Sequence, residues 1–202
     1  MLFEVDWIAF VSSLPMQRFF NDFDSLDRFT LSLDCFDETL RCPHCSKNHQ
    51  LVSHGVIYKQ RSIDKREAVG KRVFCSNRHG RSGCGRTVQL YVAQGIPAMQ
   101  YGAAHLFVFL SSLFVGLAVE TAYRKATGQS ASRHGWRWLS KLTRSLTDFR
   151  GFLKRRPAPV TPRFQVRSRR LQLLLPTLEK LFARLPHCPC LNYQLACQRA
   201  FI

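Results

Sequence analysis

Cys42-Pro43-His44-Cys45 sets two thiols at metal-ligand spacing, and Cys75 and Cys84 supply two more further along the chain. Thiolates two residues apart fold around one side of a zinc ion, and a second pair brought back by a hairpin closes the tetrahedron. Strand-like runs at 50–59, 71–74 and 87–92 flank the pairs. Two cysteine knuckles on three short strands make a zinc ribbon, with one structural Zn²⁺ held by Cys42, Cys45, Cys75 and Cys84. The second pair is less regular than the first. Residues 76–83 stand between its cysteines where two residues are usual, and their Gly and Arg content reads as a loop growing out of the knuckle. The plain alternative is four ordinary buried thiols.

The charge of the chain says what such a ribbon would meet. The net charge is +17, unevenly spread. Residues 1–41 carry eight acids and three bases, whereas the remainder carries twenty-seven bases and five acids. A body this basic suggests a polyanion partner. His44, His49, His54 and His79 lie near enough in sequence to replace a cysteine, but read better as polar or DNA-facing side chains. Eight cysteines invite a disulfide reading. The start, Met1-Leu2-Phe3-Glu4-Val5-Asp6, lacks the basic, then apolar, pattern of a signal peptide. Metal-type spacing also needs reduced thiols, so a cytoplasmic protein is expected.

Cys42-Pro43-x-Cys45, then Val52-Ser53-His54-Gly55, then Cys75 leading into Gly83-Cys84-Gly85-Arg86-Thr87, resemble the zinc ribbon at the front of bacterial insertion-element transposases and their accessory proteins. The resemblance covers 41–92, about a quarter of the chain. It implies a ribbon that binds zinc and helps to hold element DNA, with Arg78, Arg81 and Arg86 as candidate contacts. The long Cys75-to-Cys84 spacing departs from the pattern. The chain beyond the ribbon departs from it further. Transposases of that kind need three carboxylates holding two divalent metals. After Cys84 only Glu120, Asp148 and Glu179 remain, in helix-like surroundings. A protein without chemistry of its own is expected. The rival is a catalytic transposase or nuclease whose acids are not evident, for which Asp22, Asp24 and Asp27 of the acidic start could supply carboxylates. A third reading is a module that holds another protein.

From Thr87 to Val119 there is no Lys, Arg, Asp or Glu. The most apolar part, 103–119, is shorter than the roughly 20 residues of a membrane span and is broken by polar residues. A buried core helix is expected there, with no membrane contact.

The rest reads as helices: 103–114, then 118–127 ended by Gly128, where a left-handed turn is easy. Ser130 or Ser132 can cap a third helix over 133–153. A short helix, a glycine turn and a basic, amphipathic third helix have the outline of a helix-turn-helix. At 100° per residue, Leu139, Leu142, Leu146, Phe149 and Leu153 gather within roughly 80°, while Arg133, Arg137, Lys141 and Arg144 gather about 150° away. One face suits a core and the other a DNA groove. Lys154, Arg155 and Arg156 extend the basic run. A last helix is expected from Pro176, where proline suits a first helical position.

The expected fold class is α+β, mostly α: a small three-stranded zinc ribbon followed by a helix-turn-helix-like domain. The parts are an acidic, Phe-rich segment (1–40), the ribbon (41–92), the helical domain (98–156), a basic linker (157–175), and a C-terminal helix with a Cys-containing tail (176–202). The Phe-rich segment, with Phe19, Phe20, Phe23, Phe29 and Phe36, either covers the helical core or binds a transposase or another protein. Cys188, Cys190 and Cys197, beside His187, leave a second metal open. Cys35 reads as a plain apolar residue. The expected partner is double-stranded DNA.

Overall fold

The computed structural model describes residues 18–33, 40–60, 65–155 and 169–202, without the side chains of Ser132, Arg155, Arg169 and Arg170. Cys35, Phe36, Arg156 and residues 157–168 lie outside the described residues. The fold is α+β with more helix than strand. In chain order the elements are β1 (Phe19–Phe20), α1 (Phe23–Ser32), β2 (Leu51–Gln60), β3 (Arg66–Cys75), β4 (Thr87–Val92), α2 (Ala103–Phe114), α3 (Val119–Thr127), α4 (Ser132–Arg144), α5 (Leu146–Arg155), α6 (Arg169–Arg184) and α7 (Pro189–Cys197). The described residues divide into two compact units, one within 1–57 and 70–92, the other within 58–69 and 93–202.

The sheet has four strands in the order β1-β4-β3-β2, where three were expected. β3 and β4 are antiparallel, from Phe74 opposite Thr87 to Gly70 opposite Tyr91. The fourth strand comes from the acidic, Phe-rich segment. Phe19 and Phe20 lie parallel to Tyr91 and Val92. Both phenylalanines are buried, and Phe20 meets the Phe29 ring at 5.1 Å. These aromatics are thus spent inside the first unit. Two of the segment's acids have structural partners as well. Asp22 caps α1 by accepting the Ser25 N–H at 2.7 Å, and that bond holds its pKa below the ordinary carboxylate value. Asp27 pairs with Lys71, whose ammonium also donates to the Thr30 hydroxyl at 2.9 Å. Side chains alternate along the strands, as the pleat requires. Leu51, Ile57, Val73, Cys75, Val88 and Leu90 turn into the core. Val52, His54, Phe74 and Thr87 turn outward and keep partial or full exposure.

The second unit is built around helices. α2 takes the bounds expected from its apolar run and buries Leu106, Phe109, Leu110 and Leu113, the one-face spacing of a core helix. α3 packs on α2 and α4. It ends at Gly128, whose φ of 72° and N–H bond to the Arg124 carbonyl, at 2.8 Å, make the left-handed cap that glycine permits. Neither Ser130 nor Ser132 caps α4. Its N-cap is Ala131, with no side-chain bond, and Ser132 is the first helical residue. Trp138 packs edge-on against Phe109 at 5.3 Å and Tyr123 at 5.2 Å.

The long third helix expected over 133–153 is two helices. At Ser145, with ψ near 0°, the N–H reaches both the Lys141 and Leu142 carbonyls, tightening the last turn of α4. α5 then starts at Leu146. α6 differs in the other direction: it starts at Arg169, and Pro176 lies inside it. Leu171, Leu174, Leu175, Leu178 and Leu181 form one buried stripe that runs straight past the proline. Burying a leucine is worth about 1.5–3 kcal/mol, so five of them outweigh the ~3 kcal/mol cost of an interior proline.

Two buried polar side chains tie loops to this unit. The Lys59 ammonium donates to the Ile96 carbonyl at 2.5 Å and to that of Met99. Burial, with Lys141 nearby, pulls its pKa down to about 8. The Gln194 amide on α7 donates to the Ala93 carbonyl at 2.7 Å, and its oxygen accepts the Phe201 N–H at 3.1 Å. No helix among the described residues is long and apolar enough to cross a membrane.

Candidate metal centre

Cys42 and Cys45 lie on a tight turn before β2. The chain reverses there through Ser46 N–H to the Cys42 carbonyl, at 2.8 Å, and Cys42 N–H to the Lys47 carbonyl, at 3.1 Å. Cys75 ends β3, and Cys84 stands three residues before β4. The four sulfurs all lie within 4.8 Å of one another. Cys42 and Cys84 approach to 3.7 Å, as do Cys45 and Cys75. A tetrahedron of sulfurs around an ion at about 2.3 Å has edges of about 3.8 Å. Two sulfur pairs therefore already match that edge, and the whole group, within 4.8 Å, is close enough to hold a metal ion.

The irregular spacing of the second pair has a simple geometric answer. Gly83 N–H bonds back to the Ser76 carbonyl at 2.8 Å, and Gly85 N–H to the Cys75 carbonyl at 2.9 Å. Residues 76–83 are pinched off as a loop, and Cys84 returns beside Cys75 as if few residues intervened. The sulfur environments then match across the site. Cys75 Sγ accepts the Cys84 N–H at 3.3 Å, just as Cys42 Sγ accepts the His44 N–H at 3.4 Å. Such N–H groups stabilise thiolate charge. A backbone N–H from Lys47 is the leading cause that lowers the Cys45 pKa to about 7. Burial pushes Cys75 up to about 12 and also raises Cys42. A cation among the sulfurs would oppose that cost of burying thiolate.

Around the knuckles the loop is fastened by its own side chains. Lys47 donates to the Ser82 carbonyl at 2.6 Å, Arg81 to the His49 carbonyl at 3.2 Å, and Ser82 N–H to the Gln50 side chain at 2.9 Å. Gly83 is the point with least room. A Cβ there would lie 2.3 Å from the Ser76 carbonyl oxygen and 2.7 Å from Cys75 Sγ. Gly83→Ala is expected to move Cys75 out of the tetrahedron and weaken metal affinity at least tenfold, as read by competition with a chromophoric chelator. Gly151→Ala, on α5 where the space is open and the backbone helical, should leave that affinity within about twofold and serves as the control.

His44, His49, His54 and His79 stand outside the sulfur group, and among the described residues no second group of metal-ligating side chains forms. Cys188, Cys190 and Cys197 lie at the two ends of α7 and in its first turn. Cys190 is fully buried, and its pKa is raised well above the ordinary thiol value by that burial.

The basic residues fall into two sets, one in each unit. Arg78 and Arg86 are exposed, at the knuckle loop and just before β4. In the other unit Arg133, Arg137 and Arg144 are exposed along α4, opposite buried Trp138, Leu139 and Leu142. Lys141 is half-buried in the same row and donates to the Ala98 carbonyl at 3.1 Å. A cleft of about 330 Å³ opens beside it, between the 98–101 turn and α4. Lys154 is exposed near the end of α5. The acids after Cys84 stand on three different helices: Glu120 on α3, Asp148 on α5 and Glu179 on α6. Asp148 pairs with Arg199 at 3.4 Å, and burial raises the pKa of Glu179. Comparison with protein-family models, with curated proteins and with solved structures finds no match to the chain.

Proposed function

We propose that this protein is a zinc-dependent DNA-binding protein, related to the recognition half of an insertion-element transposase and acting as an accessory or regulatory factor without chemistry of its own. The observation that carries the reading is α4. Its apolar face is buried and its opposite face presents Arg133, Arg137 and Arg144 to solvent, with Lys141 in the same row. A helix so divided lays cations along phosphates and arginine forks against guanine edges. α3, the Gly128 turn and α4 serve as its helix-turn-helix, with α4 as the recognition helix.

In this reading the four cysteines hold one zinc ion. It supplies no chemistry beyond fixing the two knuckles, so that Arg78, Arg81 and Arg86 stand on an ordered loop. Four protein sulfurs leave no open position for water, the condition of a structural rather than a catalytic site. The separate placement of Glu120, Asp148 and Glu179, and the structural bonds made by Asp22 and Asp27, favour a protein that binds without cutting. Reduced thiols fit a cytoplasmic setting. A transposase or another protein partner would meet the acidic N-terminal segment.

The test is duplex binding by fluorescence anisotropy at fixed salt. Arg133→Ala combined with Arg137→Ala should weaken binding to a selected site at least 20-fold and flatten its preference over random duplex, because base contacts specify while phosphate contacts position. Retention of both affinity and preference in the double variant would remove α4 from the interface. Nicking by the purified protein with Mg²⁺ or Mn²⁺, lost in Glu120→Gln or Asp148→Asn, would move the chain to the catalytic class.

A further inference from the structure

The outward face of the sheet carries an aromatic pair that the core does not use. Phe74 on β3 points away from the buried Val73 and Cys75, and the His54 ring from β2 lies against it with centroids 5.6 Å apart. Thr87, opposite Phe74 across the β3–β4 ladder, extends the same surface. The two rings line an open cleft of about 260 Å³ together with Val52, Thr87 and, from the loop after β3, Ser76, Arg78 and His79. Arg78, His79, His54 and Thr87 are all exposed.

The cleft therefore offers an aromatic floor whose two rings are tilted 38° to one another, a guanidinium and an imidazole at its rim, and hydroxyl groups beside them. Among the described residues no acid lines it. Its volume lies just below the roughly 300 Å³ at which drug-sized ligand sites begin, a size for one flat ring rather than an extended molecule. The surrounding stretch 41–92 has eleven lysines and arginines against two acids, so the ring it takes belongs to a polyanion. An aromatic platform flanked by cations is how unpaired bases are held: the base stacks and the adjoining phosphate meets the cation. Stacked bases inside a duplex cannot reach such a floor.

We infer that this cleft binds one unpaired nucleotide of DNA, its base stacked on Phe74 with the His54 ring beside it, and its phosphate met by Arg78 and His79. The inference rests on the DNA-binding reading but uses different residues, in a different unit, from those of α4. The protein would then prefer duplex that ends in, or opens to, single strand, rather than continuous duplex.

The experiment compares a blunt duplex with the same duplex carrying a short oligothymidine overhang, using the metal-loaded protein. The overhang should raise affinity roughly 5- to 150-fold, the range expected when one base stacks. Phe74→Leu, which keeps apolar bulk and loses the ring, should remove that gain, and Arg78→Ala should reduce it. Phe74→Leu should bind blunt duplex as the parent does, and both variants should keep the parent's metal content. Blunt duplex bound with no gain from the overhang would overturn this inference and leave the α4 reading standing. A gain that persists in Phe74→Leu would overturn it too. An overhang bound through Phe74 with blunt duplex not bound at all would uphold the cleft and overturn the recognition-helix reading.

Discussion

Duplex affinity should fall about 150-fold when salt is raised from about 50 to about 200 mM, if only the four cations of α4 meet phosphates. Each neutralised phosphate releases condensed counterions, so log K falls with log salt at a slope of about −0.9 per contact. Four contacts give a slope near −3.6. Engagement of Arg78, Arg81 and Arg86 as well would steepen it toward −6. Isothermal titrations at three or four salt concentrations give the slope directly. A slope near zero would mean that the cationic surface contributes nothing to binding, and the charge argument would fail with it. The same series run on Arg144→Ala should lose about one unit of slope with little change in sequence preference, since that residue lies toward the end of the helix.

Cys42→Ser should release the metal and unfold the knuckles. Structural zinc in small ribbons contributes on the order of 10 kcal/mol to folding. The first unit has little to replace it. Its sheet has only two long strands, one of six residues and one of two. Cys75, which is buried, would be left beside Cys45 and Cys84 with no ion to offset thiolate charge. Near-UV circular dichroism and hydrogen exchange should show the amides of 41–50 and 75–86 losing protection, while the helices of the second unit, whose core draws on none of these residues, keep theirs. A Cys42→Ser protein that stays protected across both knuckles would show that the sulfurs are packing groups only.

How much of this was legible can be judged residue by residue. The Cys-Pro-x-Cys turn announced one knuckle outright. The other was recognisable once the 76–83 insertion was treated as a loop, and Gly83 and Gly85 are the residues that close it. β4 and α2 were readable to their ends because each is a local pattern bounded by clear breaks. β1 was not, because its partner lies seventy residues away and two phenylalanines carry no periodicity. The break at Ser145 was hidden by an apolar stripe that runs smoothly from Leu139 to Leu153 across both helices. A serine at that point, competing with the ladder through its own side chain, was the available sign. Pro176 misled because proline more often starts a helix than sits within one, yet Leu171, Leu174 and Leu175 upstream already carried the stripe. α7 shows apolar and polar residues on every side, so periodicity was silent. Pro189 at its first position was the signal that could have found it. The outward Phe74 and His54 needed the strand register: the pair shares a face only when β2 and β3 are aligned in space.

The most direct test of the central claim is the mass of the parent protein under native conditions. The account predicts a single folded species heavier than the bare chain by one zinc ion less the protons it displaces, returning to the reduced-chain mass in acid. A folded species at the bare-chain mass, or one lighter by the hydrogens of a disulfide between these cysteines, would contradict it.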